Sequence, residues 1–305
     1  MFDVAVIGGS FAGLTAALQL GRASRSVLVI DAGAPRNRTS PGAHGAAGWD
    51  GRPPAEILAR FRADLAAYPT VALRAGTAED VSGGPDGFEV RLAGGDRVAA
   101  RRILLAHGQR DVLPPIPGVA EAWGRRVLHC PYCHGYEVKG APLAVLALHP
   151  TAAHQALMLR ADWSDRVRLY GAGLEGLNIA ALEAAGVLAD PRGVEAVRAD
   201  DTGADLFLTG GGTARVGALF LAPRTTLEGS PAARLGCAAD EGPVGPFLRV
   251  GPMGQTSLPG VFAAGDLARP MPNINFALAD GAQSGVACHA SLLFPGFVPP
   301  LEIAA

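Results

Sequence analysis

Lysine is almost missing from this chain of 305 residues. Lys139 is the one lysine among 26 basic residues, a bias that reads as the codon usage of a GC-rich genome and not as chemistry. Excess charge is missing as well. The formal net charge is −2, which gives no footing to a nucleic-acid surface or to an anionic membrane partner. No apolar run approaches the length of a membrane span. Met1 leads at once into Phe2-Asp3-Val4-Ala5-Val6-Ile7-Gly8, a buried-strand pattern with no room for a basic segment and a cleavage site. No signal peptide is therefore expected, and the protein is expected in the cytoplasm. Cysteine is scarce, with four residues. In that compartment structural disulfides are not expected, so a close cysteine pair asks for a catalytic or metal explanation.

What is present is an ordinary globular composition, 49% hydrophobic and 18% charged, in a length that suits two domains. Phe2 to Ile7 reads as a central parallel strand. Gly8-Gly9-Ser10-Phe11-Ala12-Gly13 follows, then helical apolar spacing from Leu14 to Leu20. A second strand, Ser26-Val27-Leu28-Val29-Ile30, ends at Asp31. This is the order of a dinucleotide-binding βαβ unit. Gly8 permits the tight turn, and Gly13 lets the helix pack closely on the sheet. The helix N-terminus presents N–H groups and a positive dipole end to a pyrophosphate. Asp31 can accept hydrogen bonds from a ribose. Ser10 stands where the middle glycine is usual; it is small, and its hydroxyl can donate to phosphate. A Gly-rich turn alone would be a weak signal. Strand, helix, second strand and terminal acid together are a strong one.

A second half of the same site is expected near the other end. Gly260-Val261-Phe262-Ala263-Ala264-Gly265-Asp266 is a short strand closing on Gly-Asp, and a helix is expected from about Asn275 to Leu293.

The sharpest feature is His129-Cys130-Pro131-Tyr132-Cys133-His134-Gly135. Two intervening residues hold the sulfurs close enough to form a small disulfide ring. The first thiolate of such a motif can attack or leave at neutral pH. Thiol exchange also moves protons, and His134 titrates in the right range; His129 is a weaker candidate. Three other readings compete. A structural zinc site would want a second ligand pair, and the sequence has no second Cys pair; no metal ligand set is expected. A thioredoxin-type domain would not carry the motif so far past a βαβ unit. A chance pair of buried thiols would not explain the flanking histidines. Cys237 and Cys288 stand alone and read as structural thiols.

With these motifs in view, the chain resembles the low-molecular-weight thioredoxin reductases, FAD-dependent disulfide oxidoreductases, almost end to end. The resemblance covers Gly8–Gly13, Ile103-Leu104-Leu105-Ala106-His107-Gly108, the Cys-x-x-Cys and Gly265-Asp266. More narrowly, Gly8-Gly9-Ser10-Phe11-Ala12-Gly13-Leu14, Asp31-Ala32-Gly33-Ala34-Pro35-Arg36-Asn37 and Cys130-Pro131-Tyr132-Cys133-His134-Gly135-Tyr136-Glu137 are similar to the branch of gliotoxin- and holomycin-type dithiol oxidases. Members of that branch use FAD to oxidise a dithiol, with O₂ taking the electrons. The resemblance implies an α/β fold of two Rossmann-like, three-layer nucleotide-binding domains, the second inserted in the first. The FAD domain would comprise residues 1–112 and 243–305, and the inserted domain, carrying the CPYC motif, residues 113–242. Pro114-Pro115-Ile116-Pro117-Gly118 fits a stiff first crossing and Gly242-Pro243-Val244-Gly245-Pro246 the second.

The resemblance also implies roles. Cys133 would face the flavin, Cys130 would exchange with substrate, and His134 would be the acid/base. FAD contacts would come from Gly8, Gly9, Ser10, Phe11, Ala12 and Gly13, and from Asp31, Ala32, Asn37, His44 and the backbone near Val81. Further contacts would come from Ala106, His107 and Gly108, from Gly265 and Asp266, and from the helix start at Asn275, Phe276 and Ala277. His107 departs from the Thr usual in its loop. Pro41 to Pro54, with His44 and Trp49, would line the substrate pocket or cover the flavin. A homodimer is expected from the family only.

In thioredoxin reductases the inserted domain binds NADPH. Here its strand Leu143-Ala144-Val145-Leu146 runs into Ala147-Leu148-His149-Pro150-Thr151-Ala152. The two glycines that admit a pyrophosphate are Ala147 and His149, and Pro150 removes an N–H donor. Arg166-Val167-Arg168-Leu169-Tyr170 is not followed by the His-Arg-Arg cluster that clasps a 2′-phosphate in family members that use NADPH. Gly171-Ala172-Gly173-Leu174-Glu175-Gly176 matches G-x-G-x-x-G but follows the wrong strand, and no acid-ended strand is expected after it at the proper spacing. The expectation is therefore dithiol oxidation with FAD and O₂, without ordinary NADPH use. The substrate would be a small dithiol or disulfide, or a thioredoxin-like protein. The alternatives are a disulfide reductase fed by ferredoxin or by a second flavin, and a redox-sensing flavoprotein.

Overall fold

The computed structural model describes residues 1–171, 176–294, 296 and 301. Its contacts divide the chain into two compact units. One comprises Met1–Arg38, Ala55–Arg110 and Thr225–Ala305; the other comprises Thr39–Pro54 and Asp111–Arg224.

The first unit is built on a sheet in which Val71–Ala75, Val27–Asp31, Phe2–Ile7 and Arg97–Leu105 lie side by side in parallel. Arg97–Leu105 is long because it has two kinds of partner. Its first half alternates exposed and buried residues and pairs antiparallel with Gly87–Leu92, as a half-buried strand should. Its second half, Ile103-Leu104-Leu105, is fully buried and pairs in parallel with Val261–Ala263. The Gly-Asp segment that follows Val261–Ala263 thereby comes to the same sheet end as the Gly-rich turn after Ile7. Val4, Ala5, Val6, Val27 and Val29 are all fully buried, which accounts for their continuous apolar runs. Each buried large aliphatic contributes roughly 1.5–3 kcal/mol of transfer free energy.

Two helices cover one face of this sheet by backbone contact. Phe11–Arg22 follows the Gly-rich turn, and Ile274–Leu293 is the last helix. A Cβ on Gly281 would overlap the Ala12 carbonyl, and one on Gly285 would lie 2.9 Å from the Ala16 oxygen. Larger residues there would push the helices apart.

The second unit is built on a parallel sheet of its own. Its parallel sheet has the order Val187–Asp190, Val167–Tyr170, Leu143–Leu146, Ala218–Phe220, Val127–Leu128. An antiparallel sheet of Val194–Ala199, Ala204–Leu208 and Thr213–Val216 stands beside it. Two Rossmann-like α/β units, the second interrupting the first, are the fold expected.

The contact boundaries differ from the expected crossings. Residues 225–242 go with the first unit because Leu227, Ala232 and Cys237 join its core and Thr225 N–H donates to Val244 O at 2.8 Å. The segment 39–54 goes with the second unit, which the sequence did not indicate. Among the described residues no helix is long and apolar enough to cross a membrane.

Candidate functional site

Two constellations carry chemistry, one in each unit. The first is the turn after Phe2–Ile7. Gly8 has φ +111°, a region that disfavours side chains, and its Cβ would strike the backbone of Ala106 and His107. A Cβ on Gly9 would lie 2.6 Å from Asp31 Cβ, and one on Gly13 would overlap the Gly8 carbonyl. Gly265, at φ +79°, would place a Cβ 2.9 Å from Ala12 Cβ. Gly8, Gly9, Ser10, Phe11, Ala12, Gly13, Ala106, His107, Gly108, Gly265 and Asp266 are thus one surface, though drawn from three parts of the chain.

The surface suits a dinucleotide. Ser10 is the N-cap of Phe11–Arg22, but its side chain makes no capping hydrogen bond, and the first turn holds no acid. The helix end keeps its positive potential for an anion. His107 supplies a second indication. Burial pushes its pKa down to about 4, so the ring is neutral at pH 7. Its Nδ1 contacts Gly108 O at 3.1 Å, and its buried Nε2 has no partner. A buried polar atom left without a partner is costly, and a bound flavin nucleotide offers groups to satisfy it.

Other expected contacts are partly engaged already. Asp31 accepts from Gly33 N–H at 3.0 Å and from Arg62 at 2.8 Å. Arg36 pairs with Asp266 at 3.3 Å. Neither Arg36 nor Arg62 was singled out in the sequence; arginines 230 and 31 positions from their acids leave no local signal. Asn275 N–H is accepted by Asn273 Oδ1 at 2.8 Å, and Ala277 N–H by Asn273 O at 2.9 Å. Those two donors are turned inward. Arg269 lies over the Phe276 ring at 5.0 Å. Val81 is buried, and its N–H donates to Asp80 at 3.0 Å. Ala32 and Asn37 follow Asp31 in the loop.

The second constellation is the cysteine pair. The edge strand Val127–Leu128 delivers the chain to Cys130, which caps the short helix Pro131–His134. Pro131 at the first helical position presets φ and has no N–H to lose. Cys130 and Cys133 are joined as a disulfide, with Cα atoms 5.2 Å apart. Cys133 N–H donates to Cys130 Sγ at 3.2 Å, so opening the disulfide would leave that N–H facing any negative charge on Cys130. Trp163 lies under the motif: a Cβ on Gly135 would be 2.9 Å from its indole, and its ring meets Tyr132 edge-on at 5.8 Å. Tyr132 and Tyr136 are themselves exposed.

The segment 39–54 supplies side chains to this pair's neighbourhood. Ser40 Oγ lies 3.0 Å from His134 Nε2. The His44 ring stands edge-on to His134 at 6.2 Å, and its Nδ1 lies 3.5 Å from Glu137. Burial lowers the His134 pKa below its ordinary value; His44 adds to the effect and Glu137 opposes it. His44, expected at the flavin or in the substrate pocket, lies against His134 and Glu137. Ser40 had no sequence signal, and Glu137 was noted only as the last residue of the motif Cys130–Glu137. Elsewhere, burial pushes the Cys237 thiol up to about 11 and Cys288 to about 12, so neither forms a thiolate at neutral pH. Among the described residues no group of three His, Cys, Asp or Glu side chains could hold a metal.

The turn after Leu143–Leu146 does not resemble a pyrophosphate cradle. The His149 ring occupies it, with Nε2 2.8 Å from Ala222 O and Nδ1 2.6 Å from Thr151 Oγ1. The N–H groups of Ala152 and Ala153 are accepted by His149 O and Pro150 O. One expectation is corrected here. An acid-ended strand does follow the Gly171–Gly176 string: Val187–Asp190, parallel to Val167–Tyr170. It was missed because it is a four-residue edge strand whose Leu188 is exposed and whose Asp190 is buried. Arg192 at 2.7 Å and Arg168 at 3.5 Å hold that carboxylate, and the Arg192 hydrogen bond is the main cause of its pKa falling to about 2. Residues 172–175 of the string lie outside the described residues.

A family model described as pyridine nucleotide-disulphide oxidoreductase matches residues 2–196. The chain is 34% identical over 312 residues to a protein named thioredoxin reductase tcpT from Claviceps purpurea, covering 95% of this chain and 94% of that one. It is 31% identical over 309 residues to thioredoxin reductase sirT of Leptosphaeria maculans, covering 93% and 92%. Among solved structures, an oxidoreductase from Agrobacterium tumefaciens superposes with a TM-score of 0.90 at 42% identity, over 96% of this chain and 99% of that one.

Proposed function

Since the chain belongs to the pyridine nucleotide-disulphide oxidoreductase family and is a flavoprotein oxidoreductase acting on sulfur groups, we propose that it oxidises a dithiol to a disulfide, with FAD as prosthetic group and O₂ as final acceptor. One observation carries this reading. The dithiol centre is complete while the turn that would take NADPH is filled by His149 and its bonds to Ala222 and Thr151. Electrons then enter from a substrate dithiol and leave by a route other than nicotinamide.

The protein's own groups supply the exchange steps. A substrate thiol gives its proton to His134 and attacks Cys130 Sγ. The Cys130–Cys133 bond breaks, Cys133 leaves as thiolate, and a mixed disulfide remains on Cys130. The second substrate thiol attacks the substrate sulfur of that mixed disulfide, and Cys130 departs with a proton. The product is a substrate disulfide, and the enzyme holds the electron pair on its cysteines. FAD, held by the Gly8–Gly13 turn, the Ala106–Gly108 loop and Gly265-Asp266, supplies a two-electron acceptor for that pair. The neutral state of His134, favoured by its burial, keeps a base available at neutral pH.

The test is turnover in air with a small dithiol such as dithiothreitol and, separately, with reduced thioredoxin. One O₂ consumed and one H₂O₂ formed per disulfide is the expected result. Disulfide formation that needs ferredoxin or another carrier, with no oxygen uptake, would replace O₂ with that carrier.

A further inference from the structure

We propose that Ser40 is a positioning residue that fixes the tautomer of His134 and thereby leaves Nδ1 as the base in thiol exchange; the inference rests on the acid/base reading of His134 above. Counting the available hydrogens decides the tautomer. Ser40 has one hydroxyl hydrogen, and it is given to Gly42 O at 2.6 Å. The same Ser40 Oγ lies 3.0 Å from His134 Nε2. With its hydrogen committed, Ser40 can only accept from that nitrogen. Nε2 therefore carries the ring proton of neutral His134, and Nδ1 carries the lone pair. Nδ1 is buried and has no hydrogen-bond partner. This unused lone pair belongs to the residue that follows Cys133 in the chain, and it is a base awaiting a proton.

The surroundings agree with this assignment. The groups acting electrostatically on His134 are His44 and Glu137, and Asp50 reaches His44 at 3.8 Å. Glu137 lies 3.5 Å from His44 Nδ1, and among the described residues no carboxylate hydrogen-bonds His134 Nδ1. The Ser40 loop is itself held in place: a Cβ on Gly124, which sits at φ +81°, would lie 2.5 Å from Thr39 Oγ1 and 3.1 Å from Ser40 N. The turn from Ser40 to Gly42 thus presents a fixed acceptor to a ring 94 positions away. If the ring reversed its tautomer, Nε2 would face Ser40 without a hydrogen, and Nδ1–H would be buried without an acceptor. Both changes are unfavourable.

The experiment uses the FAD-loaded protein labelled with [¹⁵N]histidine, with two-bond ¹H–¹⁵N correlations reporting the His134 tautomer. Anaerobic flavin bleaching by dithiothreitol supplies the rate. In the wild type, Nε2–H is expected. Ser40→Ala is expected to mix the tautomers and to lower the limiting bleaching rate about tenfold, the worth of one hydrogen bond, with little change in the dithiol concentration at half-saturation. Ser40→Thr, which keeps the hydroxyl, should restore both. Nδ1–H in the wild type, or Ser40→Ala with tautomer and rate unchanged, would overturn the proposal. His134→Gln separates the two ideas. A slow His134→Gln beside a normal Ser40→Ala sinks the role of Ser40 alone. A His134→Gln variant that bleaches at the wild-type rate sinks the base reading and the role of Ser40 with it.

Discussion

Replacing Cys133 with serine is expected to slow dithiol-driven reduction of the flavin by at least about 10³-fold, the scale on which loss of an essential nucleophile or leaving group is felt. Cys130→Ser should do the same, for a different reason. In the proposed exchange the Cys130–Cys133 disulfide is the group a substrate thiol attacks, and serine cannot form it. In Cys133→Ser, Cys130 remains able to hold a substrate in a mixed disulfide, but no sulfur is left to carry the electron pair onward. In Cys130→Ser the attacked sulfur is gone. Intact-mass analysis after incubation with an oxidised small disulfide should find an adduct on Cys133→Ser and far less on Cys130→Ser. The remaining thiols offer no rescue, because burial raises Cys237 to about 11 and Cys288 to about 12. Either serine variant retaining a tenth of the wild-type bleaching rate would mean that the flavin takes electrons directly from substrate.

Gly13→Val should yield folded protein that has lost most of its FAD. The Cβ alone overlaps the Gly8 carbonyl, and the branched side chain cannot rotate out of that contact. The Phe11–Arg22 helix must then lift from the sheet, and its uncapped first turn leaves the pyrophosphate position. A loss of only 1.4 kcal/mol is tenfold in affinity, so flavin retained through purification should fall by at least about tenfold. Gly84→Ala is the control, since a Cβ there meets nothing within 4 Å. Its flavin content should match the wild type. A Gly13→Val protein with full flavin absorbance would remove the turn from the FAD site.

How much of this was legible in the chain follows from the range of each interaction. Phe2–Ile7 and Val27–Asp31 were readable because buried parallel strands are continuously apolar and end in a glycine turn or an acid. Gly265-Asp266 was readable only as a partner for that motif, and the parallel pairing of Val261–Ala263 with Ile103–Leu105 supplies the reason. The Cys-x-x-Cys pairing is local and was read directly. Ser40 was not readable. Nothing in Thr39-Ser40-Pro41-Gly42 marks it, and its partner His134 is brought to it by the fold of the second unit. Arg62 at Asp31 and Arg36 at Asp266 were hidden for the same reason. His149 was readable as a bulky residue where a glycine is usual, but its two hydrogen bonds, one to a carbonyl 73 positions away, needed coordinates.

The most direct test is anaerobic rapid mixing of the purified flavoprotein, in one arm with NADPH and in the other with dithiothreitol, watching the flavin band before air is admitted. The account predicts bleaching by the dithiol, none by NADPH, and recovery of the oxidised spectrum in air. Rapid bleaching by NADPH, with no response to the dithiol, would contradict it.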